Sequence, residues 1–316
     1  MDGMWVVDGH CDSLIDFCSG KRSLREEQEG QWELERARQG KIGLQFLAAY
    51  IEAEYKPERA LSRGLELIQA AHRFLSANPE TVFLVREPKD LERLAPEGKL
   101  GVLLSVEGGE ILGENLYLLD IIHHLGVRAL GLTWNQRNAI GDGAGETKTQ
   151  SRLTRFGESV VRRMNELGMV VDVSHLNEAG FWHVLEISSQ SVVASHSCAA
   201  ALCPHPRNLS DAQLQALAQC GGVVGVNFYP SFLNSSGQAK REDVIRHIVH
   251  IADVAGVDAV GLGSDFDGIS EVPEGLESVE KMALLIGDLQ QAGFIKDEIR
   301  KICYGNFMRL LANVIK

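Results

Sequence analysis

The 316-residue sequence predicts an α/β fold, a parallel (β/α)8 barrel of the TIM type, as one domain over residues 1–316 with helices at its C-terminal end. Three observations lead there. Eight short apolar runs recur along the chain, mostly separated by segments of helical length. Several of those runs stop on residues that ligate metals. The Gly-x-Gly-x-x-Gly of a doubly wound sheet is missing after the first run, and no Pro-, Gly- or Ser-rich linker divides the chain.

The first run, Trp5-Val6-Val7-Asp8, ends in Gly9-His10-Cys11-Asp12. In an extended chain residues i and i+2 share a face, so His10 and Asp12 point one way and Cys11 the other. An imidazole and a carboxylate so placed form half a site for a divalent cation such as zinc. Alone, the pair reads more readily as a surface turn, with Asp12 or Ser13 capping a helix. The charged stretch from Lys21 to Arg38, including Arg25-Glu26-Glu27-Gln28-Glu29, reads as a solvated loop or helix face. The second run spans Ile42 to Tyr50. From Pro57 to Leu75 the pattern is helical, with Leu61, Leu65, Ile68 and His72 at three- and four-residue steps, and Asn78-Pro79 ends it.

Leu100 to Val106 is the third strand and closes on Glu107-Gly108-Gly109; Leu116 to Leu125 is a helix stopped by Gly126. The fourth strand, Val127 to Thr133, opens into Trp134-Asn135-Gln136-Arg137-Asn138 and the loop Gly141-Asp142-Gly143-Ala144-Gly145. That loop lacks the Lys-Ser/Thr of a phosphate cradle. Phe156 to Leu167 is an amphipathic helix with Gly168 as its stop. The fifth strand, Met169 to Val173, runs into Ser174-His175, and the helix Phe181 to Ile187 leads to the sixth, Ser191 to Ser195, which ends in His196. Ser210 caps a helix through Leu217, Gly222 to Phe228 is the seventh strand, and Val244 to Ala255 is helical. The eighth strand, Ala259 to Gly263, ends in Ser264-Asp265-Phe266-Asp267-Gly268; helices near Val279 to Gln291 and Lys296 to Asn313 follow.

Composition narrows the partners. Hydrophobic content of 45% and mean hydropathy of −0.06 describe an ordinary globular chain. A net charge of −12 argues against nucleic acid or an anionic membrane as a partner. No membrane segment, signal peptide or lipid-anchor tail is visible, and the six cysteines lack C-x-x-C spacing, so a cytoplasmic protein with reduced thiols is expected. Cys11 and Cys198 stand beside candidate ligands as adventitious metal binders.

In such a barrel the reactive groups sit where strands run out at the C-terminal face. His10, Asp12, Glu107, His175, His196 and Asp265 all fall at those ends, whereas His72, His123, His124, His183, His247 and His250 fall on helices and read as surface or packing residues. His205, between two prolines, stays ambiguous. Each group singly has an ordinary structural reading: a core histidine, a tight turn, an Asx-turn at Asp265 or Asp267. Jointly they converge on one mouth. Three imidazoles and two carboxylates exceed one tetrahedral site and fall short of two closed ones. A bridging carboxylate makes up the difference, and the pair of cations can share a hydroxide and polarise a carbonyl or phosphoryl oxygen. Asp265 is then free for proton transfer.

The motifs resemble those of the membrane (renal) dipeptidase family, the M19 metallopeptidases, amidohydrolase-like (metallo-dependent hydrolase-like) barrels. The similar segments are Asp8-Gly9-His10-Cys11-Asp12, Gln31 to Tyr50, Ser105-Val106-Glu107-Gly108-Gly109, Asp172-Val173-Ser174-His175, Ala194-Ser195-His196-Ser197, Arg207-Asn208-Leu209-Ser210-Asp211, Val226-Asn227-Phe228-Tyr229 and Gly263-Ser264-Asp265-Phe266-Asp267-Gly268. The resemblance implies two Zn2+ ions, one on His10 and Asp12, the other on His175 and His196, bridged by Glu107. It implies Asp265 as general acid/base, Arg207 as the clamp for a dipeptide's terminal carboxylate, and Tyr229 at the substrate. It further implies a dipeptide substrate, with a D-residue tolerated at the C-terminal position, and a homodimer. Trp134 stands where mammalian members carry a histidine, which bears on substrate preference rather than on metal binding. Another hydrolase on the same barrel (phosphotriesterase, lactonase or deaminase) and a non-catalytic metal-binding barrel are the alternatives.

Overall fold

The computed structural model describes residues 3–25, 29–94, 98–149 and 151–316. Nine strands appear in order: β1 (Val6–Asp8), β2 (Ile42–Tyr50), β3 (Val82–Leu84), β4 (Leu100–Glu107), β5 (Val127–Gly131), β6 (Val170–Asp172), β7 (Val193–Ser197), β8 (Val223–Val226) and β9 (Val260–Leu262). All pairings are parallel. β2 pairs with both β1 and β4, and β1 pairs with β9, so eight strands close into a barrel. The extra strand is β3, which pairs with Leu100–Val102 of β4 before β5 takes up Leu104–Glu107 along the same edge. Three residues are too short to show an alternation, so the sequence reading of eight strands passes over it.

Two cores surround the barrel wall. Outside it, apolar faces of the helices pack on alternate strand residues such as Val6, Leu47, Val102, Leu104 and Val171. Inside, Val7, Leu44, Phe46, Leu103, Ala129, Val170, Val193 and Val223 meet Phe307, Leu310 and Leu311 of the helix Asn306–Val314, which fills the end away from the strand C-termini. The barrel is a packed core, with the six candidate groups at its other rim. The expected final helix is broken into Lys296–Arg300, a π-helical turn at Lys301–Gly305, and Asn306–Val314. The helix expected over 57–75 runs Ala60–Ala77, but Leu61 and Leu65 are exposed. Its buried side is Gly64, Leu67, Ile68 and Ala71, where the lack of a side chain at Gly64 admits Ile111.

One irregularity in the wall matters for the site. Between Ala194 and Ser197, β7 advances three residues while β8 advances only two, from Val224 to Val226. Such a bulge re-aims a side chain. Val193 faces inward and Ala194 outward, so simple alternation would send His196 outward. The extra residue turns His196 to the mouth and turns the Ser195 carbonyl inward. A Cβ at Gly225 or Gly263 would lie about 2 Å from that carbonyl oxygen, so only glycine fits on the two neighbouring segments.

Candidate metal centre at the barrel mouth

The loop after β1 is stitched to the loop after β9. Asp12 N–H donates to the Phe266 carbonyl at 2.9 Å, and Asp265 N–H to the His10 carbonyl at 3.2 Å. Asp8, fully buried, accepts from the Ser264 N–H and hydroxyl at 2.7 Å each and from Gln45 Nε2 at 2.9 Å. It closes the barrel seam and stays outside the donor cluster. Glu107 is the last residue of β4, His175 follows β6, and Asp265 follows β9 with φ +66°.

All six strand-end groups converge. His10 Nε2 lies 3.3 Å from Asp12 Oδ2, 3.5 Å from Glu107 Oε2 and 4.0 Å from Asp265 Oδ1. On the other side, His175 Nε2 lies 2.7 Å from Glu107 Oε1 and 2.8 Å from His196 Nε2, and His196 Nε2 is 3.5 Å from Glu107 Oε1. The two oxygens of Glu107 thus face two separate halves. Three sets of donor atoms lie within 4.8 Å of one another: His10, Asp12 and Glu107; Glu107, His175 and His196; and His10, His196 and Asp265. Cys11 and Cys198 belong to none of these sets among the described residues. Their thiols are buried, that of Cys11 beside Ser13 and that of Cys198 on the Asn227 carbonyl, and burial raises the pKa of both.

The electrostatics fit a cation in each half. Burial pushes His175 down to about 3, with the Arg207 guanidinium adding to it, and burial with the His10 charge holds His196 well below the imidazole range. Both rings are therefore neutral, with lone pairs to give. Burial raises Asp12 to about 7 and Asp265 to about 6. Burial alone would lift Glu107 and depress His10. Instead His10 and His175 hold the Glu107 carboxyl well below its usual range, and Glu107 and Asp12 hold His10 well above its own. Asp12, Glu107 and Asp265 crowd one desolvated cup, where bound cations would offset the cost of burying three carboxylates together. His10 Nε2 and Asp12 Oδ1 are buried and make no hydrogen bond, as unclaimed ligand atoms should.

Around this floor is a cavity of about 320 Å3, lined by Asp12, Ile15, Tyr50, Glu107, Trp134, Asn135, His175, Arg207, Tyr229, Phe232, Asp265 and Ile269. That volume suits a small ligand. Arg207 is buried. Its Nη1 donates to the Ser174 carbonyl, and its Nη2 lies 3.0 Å from His175 Nε2. Tyr229 lines the same wall, and its N–H donates to Asn227 Oδ1 while Asn227 Nδ2 donates to Asp265 Oδ2 at 2.8 Å. Asn227 therefore ties the two together, a link the sequence reading missed. Opposite, Trp134 packs between Tyr50 (ring centroids 5.2 Å) and His175 (6.0 Å). The Lys56 ammonium sits 5.0 Å from the Trp134 ring centroid and 3.3 Å from Glu110, so this wall is braced from behind.

The charged stretch after Lys21 is solvated only in part: Lys21, Arg25, Glu29, Glu35 and Arg38 are exposed, and Glu26 to Gln28 lie outside the described residues. Arg22, Trp32, Glu33, Leu34 and Ala37 are buried. Asp267 takes hydrogen bonds from Ser13, from Arg22 at 3.0 Å and from the Gln31 N–H at 2.6 Å, pinning this segment to the loop after β9. His205, left ambiguous by sequence, packs on Phe232 and accepts the Arg207 N–H at 3.2 Å, so it braces the arginine's loop.

The segment between β7 and Arg207 is anchored by His247, whose Nδ1 accepts the Ala199 N–H at 3.1 Å and whose Nε2–H donates to the Leu233 carbonyl at 3.0 Å. Burial pushes His247 down to about 4, against roughly 6.5 in an unfolded chain. A depressed folded value means its contribution is complete above about pH 6.5 and is lost as pH falls toward 4, at about 1.4 kcal/mol per pH unit. Melting curves between pH 7 and pH 4.5 should show Tm falling more steeply in the parent than in His247→Gln; parallel curves would rule this out.

Comparison with known proteins follows the same lines. The sequence model of the membrane dipeptidase family (peptidase family M19) matches residues 1–316. The dipeptidase aclJ of Aspergillus oryzae is 34% identical over 328 aligned positions, covering 98% of this chain and 78% of that protein. A metallo peptidase of Rhodobacter sphaeroides, crystallised with a phosphinate mimic of the dipeptide L-Ala-D-Ala, superposes with a TM-score of 0.93 at 29% identity, covering 99% of this chain and 100% of that one. The crystal structure of dipeptidase AC, also a metallopeptidase of family M19, gives 0.93 at 30% identity with 99% of each chain covered.

Proposed function

The chain belongs to the membrane dipeptidase family, the M19 metallo-dipeptidases, and on that premise we propose that it hydrolyses the peptide bond of dipeptides, L-Xaa-D-Xaa included, with two zinc ions. His10 and Asp12 would hold one ion and His175 and His196 the other, with Glu107 contributing an oxygen to each. The observation that carries this reading is Glu107, whose two oxygens face two donor sets in one buried cup. When bound, the ions supply an activated water and polarise the scissile carbonyl. Asp265, reaching to 4.0 Å from His10 and steadied by Asn227, takes the proton of the attacking water and returns it to the leaving amine. The Rhodobacter sphaeroides metallo peptidase, liganded with a phosphinate mimic of L-Ala-D-Ala, supports trying L-D substrates here.

Arg207 receives the substrate's C-terminal carboxylate. Its Nη2 faces His175 Nε2 in the cavity; with that lone pair committed to a cation, this N–H would be released toward a carboxylate while Nη1 stays on the Ser174 carbonyl. A terminal carboxylate bound deep in a cup of about 320 Å3 restricts the enzyme to short peptides. Arg207→Ala is expected to raise KM by about 10- to 100-fold, the worth of a charge-assisted hydrogen bond, with a smaller change in kcat; an unaltered KM refutes the clamp. The reading as a whole is tested by turnover of the metal-analysed protein across L-L and L-D dipeptides beside an organophosphate and a lactone. Turnover of either of the last two without any dipeptide cleavage would overturn it.

A further inference from the structure

A histidine that ligates through Nε2 must carry its proton on Nδ1, and something must accept that proton. Both histidines on the Glu107 Oε1 side meet such an acceptor. His175 Nδ1 lies 2.9 Å from Asn135 Oδ1, contributed by the loop after β5. His196 Nδ1 lies 2.8 Å from the Ser195 hydroxyl, which in turn contacts the Asp172 carboxylate at the end of β6. The direction of that second chain follows from the partners. Asp172 also accepts from the Ser174 hydroxyl at 2.6 Å, the Ser174 N–H at 3.0 Å and the Ser195 N–H at 3.1 Å. A carboxylate so surrounded by donors is acceptor only. The Ser195 hydroxyl therefore gives its hydrogen to Asp172 and keeps a lone pair for His196 Nδ1–H. The bulge in β7 is what brings hydroxyl, imidazole and carboxylate into this row.

We propose that Asn135 and Ser195, the latter backed by Asp172, are positioning residues that fix the tautomers of His175 and His196 and so set the affinity for the cation on that side of Glu107. This rests on the two-ion reading above. His10 and Asp12 stand on the other oxygen of Glu107, Oε2, away from Asn135 and Ser195, so the effect falls on one ion and spares the other.

The test is competitive titration of the metal-free protein with Zn2+ against a chromophoric chelator, together with metal content and the Tm of the metal-free form. Asn135 is half-buried on a loop, and Asn135→Leu keeps its size while removing the acceptor. It should weaken one of two zinc ions by about 10- to 100-fold, leave the other unchanged and leave the metal-free Tm in place. Asn135→Asp, which still accepts from His175, should restore the affinity. Ser195→Ala should weaken the same ion. The proposal is overturned if Asn135→Leu and Ser195→Ala bind both ions as tightly as the parent, or if affinity drops only in step with the metal-free Tm and Asn135→Asp brings no recovery. A parent that takes up fewer than two zinc ions overturns the two-ion reading itself and this inference with it.

Discussion

Asp265→Asn is expected to lower kcat by about two to four orders of magnitude with both ions still bound, the usual worth of a positioned general acid/base. The side chain hangs at the rim of the donor cup, 4.0 Å from His10 Nε2, with its second oxygen held by Asn227. Burial lifts its pKa to about 6, where a carboxyl both accepts and returns a proton effectively. Asparagine is the right replacement for two reasons. The backbone at Asp265 is left-handed, φ +66°, a conformation asparagine tolerates and alanine does not. The amide oxygen can still accept the Asn227 N–H, so shape and anchoring persist while proton transfer is lost. Metal analysis must accompany the kinetics, because Asp265 also lies within ligand range of His10 and His196. A variant that loses an ion makes Asp265 a ligand, and one with near-normal kcat removes it from the chemistry.

Glu107→Gln is expected to cost at least one ion and to bring turnover down by roughly a thousandfold or more. Lewis-acid stabilisation is worth several kcal/mol, and each ~1.4 kcal/mol is tenfold in rate. An amide has one oxygen where the carboxylate has two, and it would turn an N–H2 toward a ring nitrogen that should be giving its lone pair. Metal content by elemental analysis and kcat on one dipeptide measure the effect. Two retained ions with kcat within tenfold of the parent would show that Glu107 does not span the site.

Much of this was legible in the order of residues because barrel strands advertise themselves as short apolar runs and their far ends as polar interruptions. His10, Asp12, Glu107, His175 and Asp265 stand directly after such runs, and the structure gathers them. What escaped depends on contacts that no local pattern carries. His196 is named from the sequence, but as the residue after a strand; it lies within β7, and the register slip against β8, which no local pattern carries, turns it inward. Arg22 looks like one more surface cation until Asp267, 245 residues later, is seen to neutralise it. The Lys21–Arg38 stretch is solvated at Lys21, Arg25, Glu35 and Arg38 as composition suggests, but not at Arg22 or Glu33. Asn135 meets His175 across 40 residues, a pairing that its own neighbours in sequence do not announce. A carboxylate or hydroxyl one to three residues before each later histidine, Asp172 and Ser195, was a signal within reach, since ligating imidazoles need such partners.

The turned-in Ser195 carbonyl has a bearing on how sequence invariance in this barrel is to be understood. Gly225 and Gly263 touch neither peptide nor ion, yet any methyl group there would strike an oxygen that cannot retreat without dragging His196 out of place. Both will therefore look as irreplaceable as the ligands themselves, and a reader who equates constancy with chemistry would enlist two bystanders. Their duty is to leave room.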